Sequence, residues 1–78
     1  MRSTYRQFKQ VYSEVFFVKP EDIHLKKSFT KGLKMNEFEF NEMLVSLEYY
    51  FKIEIPDEEL PKLRLVKDVV KCIERLAA

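Results

Sequence analysis

Few side chains in this sequence are equipped for covalent chemistry. There is one histidine, His24, and one cysteine, Cys72, far apart in the chain. No nucleophile stands beside a base, and Gly32, the only glycine, rules out a glycine-rich phosphate loop. His24 has no second ligand near it and reads as a solvated loop histidine. Cys72 reads as a small hydrophobe at the edge of a core. The carboxylates Glu54, Asp57, Glu58 and Glu59 crowd one turn, but their spacing does not match a calcium loop. They read as a solvated acidic turn. No catalytic and no metal-binding residue is expected, and the chain is read as a non-enzyme.

The charge pattern points to binding instead. A net charge of +1 hides two poles. From Glu37 to Glu59 eight acids accompany one base, Lys52, for a net −7, and the remainder carries +8. An acidic stretch steers towards a basic partner. The bases are scattered along the rest of the chain, so nucleic-acid binding is not expected. One cysteine cannot form an internal disulfide, which suits a reducing cytosol. No apolar run approaches membrane-spanning length, and no apolar signal segment opens the chain. The expectation is a soluble, cytoplasmic monomer.

Seventy-eight residues make a single domain over 1–78, near the lower size at which a core holds without staples. Helix formers dominate an apolar fraction of 46%, so an all-α bundle is expected, with three long helices and one short one. Its central element is residues 34–51. Asn36 is a good N-cap, and Glu39 stands at the capping-box position. Phe40, Met43, Leu44, Leu47 and Phe51 share a core face. Phe38, Asn41, Val45, Glu48 and Tyr49 lie along a neighbouring face that mixes apolar groups with carboxylates. Glu37 sits in the first turn.

The remaining elements support this one. Thr4 with Gln7, or Ser3, caps a first helix whose stripe is Tyr5, Phe8, Tyr12, Val15 and Phe16, with Val11 beside it. Pro20 ends that helix near Phe17 or Val18. A long connection from Lys19 to about Met35 is pinned by Ile23, Leu25, Phe29 and Leu33, with one helical turn at Pro20–Ile23. Gly32 supplies a bend or a positive φ. After Pro56, Asp57 caps a short third helix that Pro61 curtails. A last helix from about Leu65 to Leu76 buries Val66, Val69, Val70, Ile73 and Leu76.

Three segments carry a family likeness: Val18-Lys19-Pro20-Glu21-Asp22-Ile23, Ser28-Phe29 with Leu33, and Leu47-Glu48-Tyr49-Tyr50-Phe51-Lys52-Ile53-Glu54-Ile55-Pro56-Asp57-Glu58-Glu59. Val66-Lys67-Asp68-Val69-Val70 adds the start of the last helix. Over essentially its whole length the chain resembles the acyl carrier protein family, which implies an acyl-carrier-protein-like four-helix bundle. In that family an Asp-Ser-Leu motif opens the second helix, and its serine carries 4′-phosphopantetheine. Here Asn36-Glu37-Phe38 occupies those positions. A phosphopantetheinyl transferase needs a hydroxyl, so Glu37 implies that the prosthetic group is absent. Ser28 matches an ordinary loop serine of the family, and Ser46 lies mid-helix. The glycine that often closes the family's first helix is Phe17, and the residues that often cap its last helix are Arg64-Leu65.

The resemblance therefore implies a non-enzymatic module without phosphopantetheine. It docks through its acidic second helix onto a basic patch of a synthase-type or acyl-transfer enzyme of fatty-acid or polyketide biosynthesis. Glu37, Phe38, Asn41, Glu42, Val45, Glu48 and Tyr49 are the expected contacts. The alternative is a working carrier modified at an unexpected residue.

Overall fold

A computed structural model describes residues 2–77. Three α-helices form it: α1 (Arg2–Phe16), α2 (Glu37–Phe51) and α3 (Val66–Ala77). Two 3-10 helices, Pro20–Asp22 and Asp57–Lys62, lie in the connections. The second is the short helix of the expected four.

The core is built where the three helical stripes meet. Phe8 and Tyr12 of α1, Met43 and Leu47 of α2, and Val69, Val70, Cys72 and Ile73 of α3 are buried there. Val11 is also buried, so α1 contributes a wider stripe than the spacing of its large residues suggests, while Tyr5, Val15 and Phe16 are only partly covered. Leu76, expected in the core stripe, falls outside it and is exposed near the end of α3. The long connection is pinned as expected by Ile23 and Phe29, with Leu25 and Leu33 partly covered and Met35 buried beside them. The Tyr5 hydroxyl donates to the Ile23 carbonyl at 2.6 Å and ties that loop to α1.

Each helix end is set by a local device. α1 begins at Arg2, so Ser3 and Thr4 stand inside its first turn and not ahead of it. It closes on Phe17, whose φ of 57° is left-handed and whose amide donates to the Ser13 carbonyl at 2.9 Å. α2 opens on the expected capping box. Asn36 Oδ1 accepts the Glu39 amide at 2.8 Å, and Glu39 Oε1 accepts the Asn36 amide at 3.1 Å. It closes on Lys52, also left-handed at φ 55°. α3 is capped from within: Asp68 Oδ2 accepts the Arg64 and Leu65 amides at 3.1 and 2.9 Å.

One further expectation needs correction, and another is narrowed. Asp57 does not cap the second 3-10 helix. Pro56 holds the cap position without a side-chain hydrogen bond, and Asp57 is the first helical residue. The tighter 3-10 turn also carries Pro61 inside it and runs to Lys62. Of its two expected roles Gly32 takes the bend, in the turn over residues 29–32, and not the positive φ. It is there for want of room: a Cβ would come within 2.3 Å of Lys27 Cγ and 2.8 Å of the Ser28 carbonyl oxygen. The loop is that tight because Ser28 Oγ accepts both the Lys31 and Gly32 amides at 3.0 Å.

A pairing distant in sequence fixes the loop against α3. Ser28 and Leu65 form an isolated antiparallel bridge. The Phe29 amide donates to the Arg64 carbonyl at 3.2 Å. The Val66 and Lys67 amides donate to the carbonyls of Lys27 and Leu25 at 2.9 and 2.8 Å. Amides of a first helical turn have no partner within the helix, and here the loop backbone supplies it.

Candidate functional site

The expected contacts all lie on α2, which the capping box starts sharply at Glu37. Glu37, Phe38, Asn41, Glu42, Val45 and Tyr49 are exposed. Glu48 differs. It is half-buried, and its Oε2 accepts the Ile55 amide at 2.7 Å. That carboxylate holds the chain after α2, so it is not a free surface acid.

The set divides between two faces. Phe38, Glu42, Val45 and Tyr49, at spacings of four, three and four, form the outermost row of the helix. Their apolar members are 76, 64 and 86% exposed for Phe38, Val45 and Tyr49. Val45 and Tyr49 also edge a shallow depression shared with Val11 and Val15 of α1. Glu37 and Asn41 instead line an open groove of about 1080 Å³ between α2, the 28–31 loop and the start of α3. Its floor includes Phe29, Met35, Phe40 and Leu63, and Lys31 and Arg64 stand on its loop side.

Reasoning from the sequence missed that loop wall. Lys31 and Arg64 are far apart in the chain, and only the Ser28–Leu65 pairing puts them beside one groove. It also missed Thr30, an exposed hydroxyl lining the same groove as Glu37. The other hydroxyls nearby are engaged. Ser28 Oγ closes its loop, and Ser46 Oγ donates to the Glu42 carbonyl at 3.0 Å.

No arrangement for bond-making chemistry appears among the described residues. Cys72 is buried, and burial pushes its thiol up, away from the reactive thiolate form. Its neighbour Glu59 is in turn bound by Arg75 at 2.6 Å. His24 is exposed in its loop. No three His, Cys, Asp or Glu side chains converge to hold a metal ion among the described residues. No helix among them is long and apolar enough to cross a membrane. Tyr12 has its phenol pushed up to about 12, first by burial and then by the nearby charge of Glu39.

No family model matches the chain. Individual proteins do. The chain is 39% identical over 66 residues to a protein of Wolinella succinogenes named acyl carrier protein, covering 85% of this chain and 87% of that one. It is 37% identical over 71 residues to one of the same name from Helicobacter hepaticus, covering 91% and 93%. It is 36% identical over 67 residues to the meromycolate extension acyl carrier protein of Mycobacterium leprae, covering 86% of this chain and 58% of that one.

Proposed function

The chain belongs to the acyl carrier protein family, and on that premise we propose that it is a non-enzymatic docking module that carries no phosphopantetheine arm. The carrying observation is the residue at the head of α2. Glu37 is exposed in the first turn, directly after the Asn36 cap, and the family resemblance sets it against the motif's serine. A carboxylate there cannot attack the pyrophosphate of coenzyme A. What it supplies is one negative charge at a helix N-terminus, where unpaired amides favour an anion. That is the charge, without the reach, of a phosphodiester at the same place.

The surface that remains suits a partner. α2 presents Phe38, Val45 and Tyr49 as apolar anchors with Glu37, Asn41 and Glu42 around them, and carboxylates of this kind set approach and register. The matching surface is a basic patch on a synthase-type or acyl-transfer enzyme, in the cytoplasm. Glu48 contributes to this face mainly by holding its far end in place.

The test is titration against enzymes of that class from the same organism at low salt. Phe38→Ala combined with Glu42→Lys is expected to weaken binding by at least tenfold, about 1.4 kcal/mol. Glu37→Gln is expected to weaken it less, with the difference erased at high salt. Affinity unmoved by Phe38→Ala with Glu42→Lys removes the docking face from this account.

A further inference from the structure

The second 3-10 helix, Asp57–Lys62, hangs between two fixed points. On one side Ile55 is buried and its amide is held by Glu48. On the other side Leu63 is buried. Between them no residue of the helix is buried. Among the described residues its backbone hydrogen bonds stay local: the Glu59 amide donates to the Pro56 carbonyl at 3.0 Å, and the Leu63 amide to the Leu60 carbonyl at 3.1 Å. Pro61 has no amide to give, and 3-10 geometry makes poorer hydrogen bonds than an α-helix. Two side chains tie the segment to the rest of the molecule. Leu60 packs against the core while only partly covered. Glu59 reaches across to α3, where its Oε1 accepts from Arg75 Nη2 at 2.6 Å and lies 4.0 Å from Cys72 Sγ. The fully buried Cys72 thiol therefore has Glu59 over it.

We infer that residues 56–62 form a strap that lifts from α3 while the three helices stay folded, with the Glu59–Arg75 ion pair as its latch. The attachments are unequal. The helices hold one another through the fully buried Phe8, Leu47, Val69 and Val70, whereas the strap has one partly covered side chain and one ion pair. Segments with few buried apolar contacts open at a fraction of the global unfolding free energy. The latch is itself weak, because the Arg75 side chain is 61% exposed and water and salt compete for it. Leu60 and Pro61 also line the groove that Glu37 and Asn41 line, so lifting the strap reshapes that groove beside the head of α2. Cys72 is a built-in reporter of the motion. It is the only cysteine, and removing Glu59 from above it uncovers the thiol. The strap does not depend on the docking proposal.

The test is alkylation of Cys72 by iodoacetamide, a neutral reagent, followed by intact mass. The thiolate sulfur displaces iodide from carbon, so one C–S bond forms as one C–I bond breaks. Labelling of the urea-unfolded chain gives the rate of the free thiol. Well below the urea midpoint, wild type is expected to label at least about tenfold faster than its unfolded fraction allows, with little dependence on urea. Arg75→Gln, at an exposed position, is expected to speed labelling roughly two- to fivefold at low salt, the worth of an exposed ion pair. Wild-type labelling is expected to rise towards that of the variant as salt is raised, and the variant's to stay level. Hydrogen exchange separates the strap from fraying of α3: the Cys72 and Ile73 amides are expected to open far less often than the thiol does. Wild-type labelling that follows global unfolding, in rate and in urea dependence, overturns the inference. So do Cys72 and Ile73 amides that open as often as the thiol, since α3 would then be fraying. Arg75→Gln labelling at the wild-type rate in low salt overturns the assignment of the latch.

Discussion

The carboxylate of Glu48 accepts the backbone amide of Ile55 at 2.7 Å, seven residues further on. The Glu48 carbonyl takes the Lys52 and Ile53 amides, the latter at 3.1 Å. One residue thus satisfies three donors where α2 ends, and it turns the chain so that Ile55 is buried. Glu48→Ala is expected to cost about 1–3 kcal/mol, the loss of a charge-assisted bond that leaves a part-buried amide unpaired. Glu48→Gln, which keeps an acceptor oxygen, is expected to cost less. Urea unfolding of both measures it, and an unchanged midpoint for Glu48→Ala would show that water replaces the carboxylate at no cost.

Phe17 combines a left-handed backbone with a ring that is 92% exposed. A side chain in this conformation costs roughly 1 kcal/mol that glycine does not incur, and an exposed ring returns little burial. Phe17→Gly is expected to stabilise the fold by up to about 1 kcal/mol, after the greater freedom of glycine in the unfolded chain is counted. A clear loss of stability in urea unfolding would mean that the ring is covered in solution.

Tyr12 gives the fold a defined alkaline limit. Its folded pKa of about 12 lies above the ordinary value of 10. The folded state therefore favours the neutral phenol. Its contribution is complete below pH 10 and is lost as pH rises towards 12. Wild type is expected to lose stability across that window relative to Tyr12→Phe, which cannot ionise there. Chemical unfolding at pH 9 and pH 11 checks this, and parallel pH profiles for the two proteins would contradict it.

Gly32 marks how closely the 28–32 turn is packed. Gly32→Ala is expected to destabilise by about 1–3 kcal/mol, because the Ser28 carbonyl cannot yield without breaking the turn. Thermal unfolding measures it. A neutral result would show that the Lys27 side chain, the nearer obstacle, moves aside and that the backbone follows.

Local signals in the sequence were legible because they act within a few residues. The Asn36–Glu39 capping box, the Met43–Leu44–Leu47 stripe and the stop ahead of Pro20 are set by the chain's own neighbours, and the structure has each of them. What was not legible depends on distant parts meeting. Lys31 and Arg64 read as scattered charges until the Ser28–Leu65 pairing places them on one groove. Glu48 read as a surface acid because nothing in its helix announces the returning Ile55 amide. Asp68 was noted only within the Val66–Val70 segment, although its carboxylate supplies the cap that Arg64 and Leu65 lack. For Gly32 the sequence announced a bend, but not the neighbouring side chain and carbonyl that leave no room for a Cβ there.

The central claim is that Glu37 leaves this family member without an arm. The direct measurement is intact mass after coexpression with a phosphopantetheinyl transferase and a supply of coenzyme A. Wild type is expected to keep its unmodified mass, and Glu37→Ser to gain phosphopantetheine, at lower yield where Asn36 and Phe38 depart from the family motif. A stoichiometric gain by wild type, whether at Thr30, Ser28 or any other residue, would contradict the claim and make the chain a working carrier.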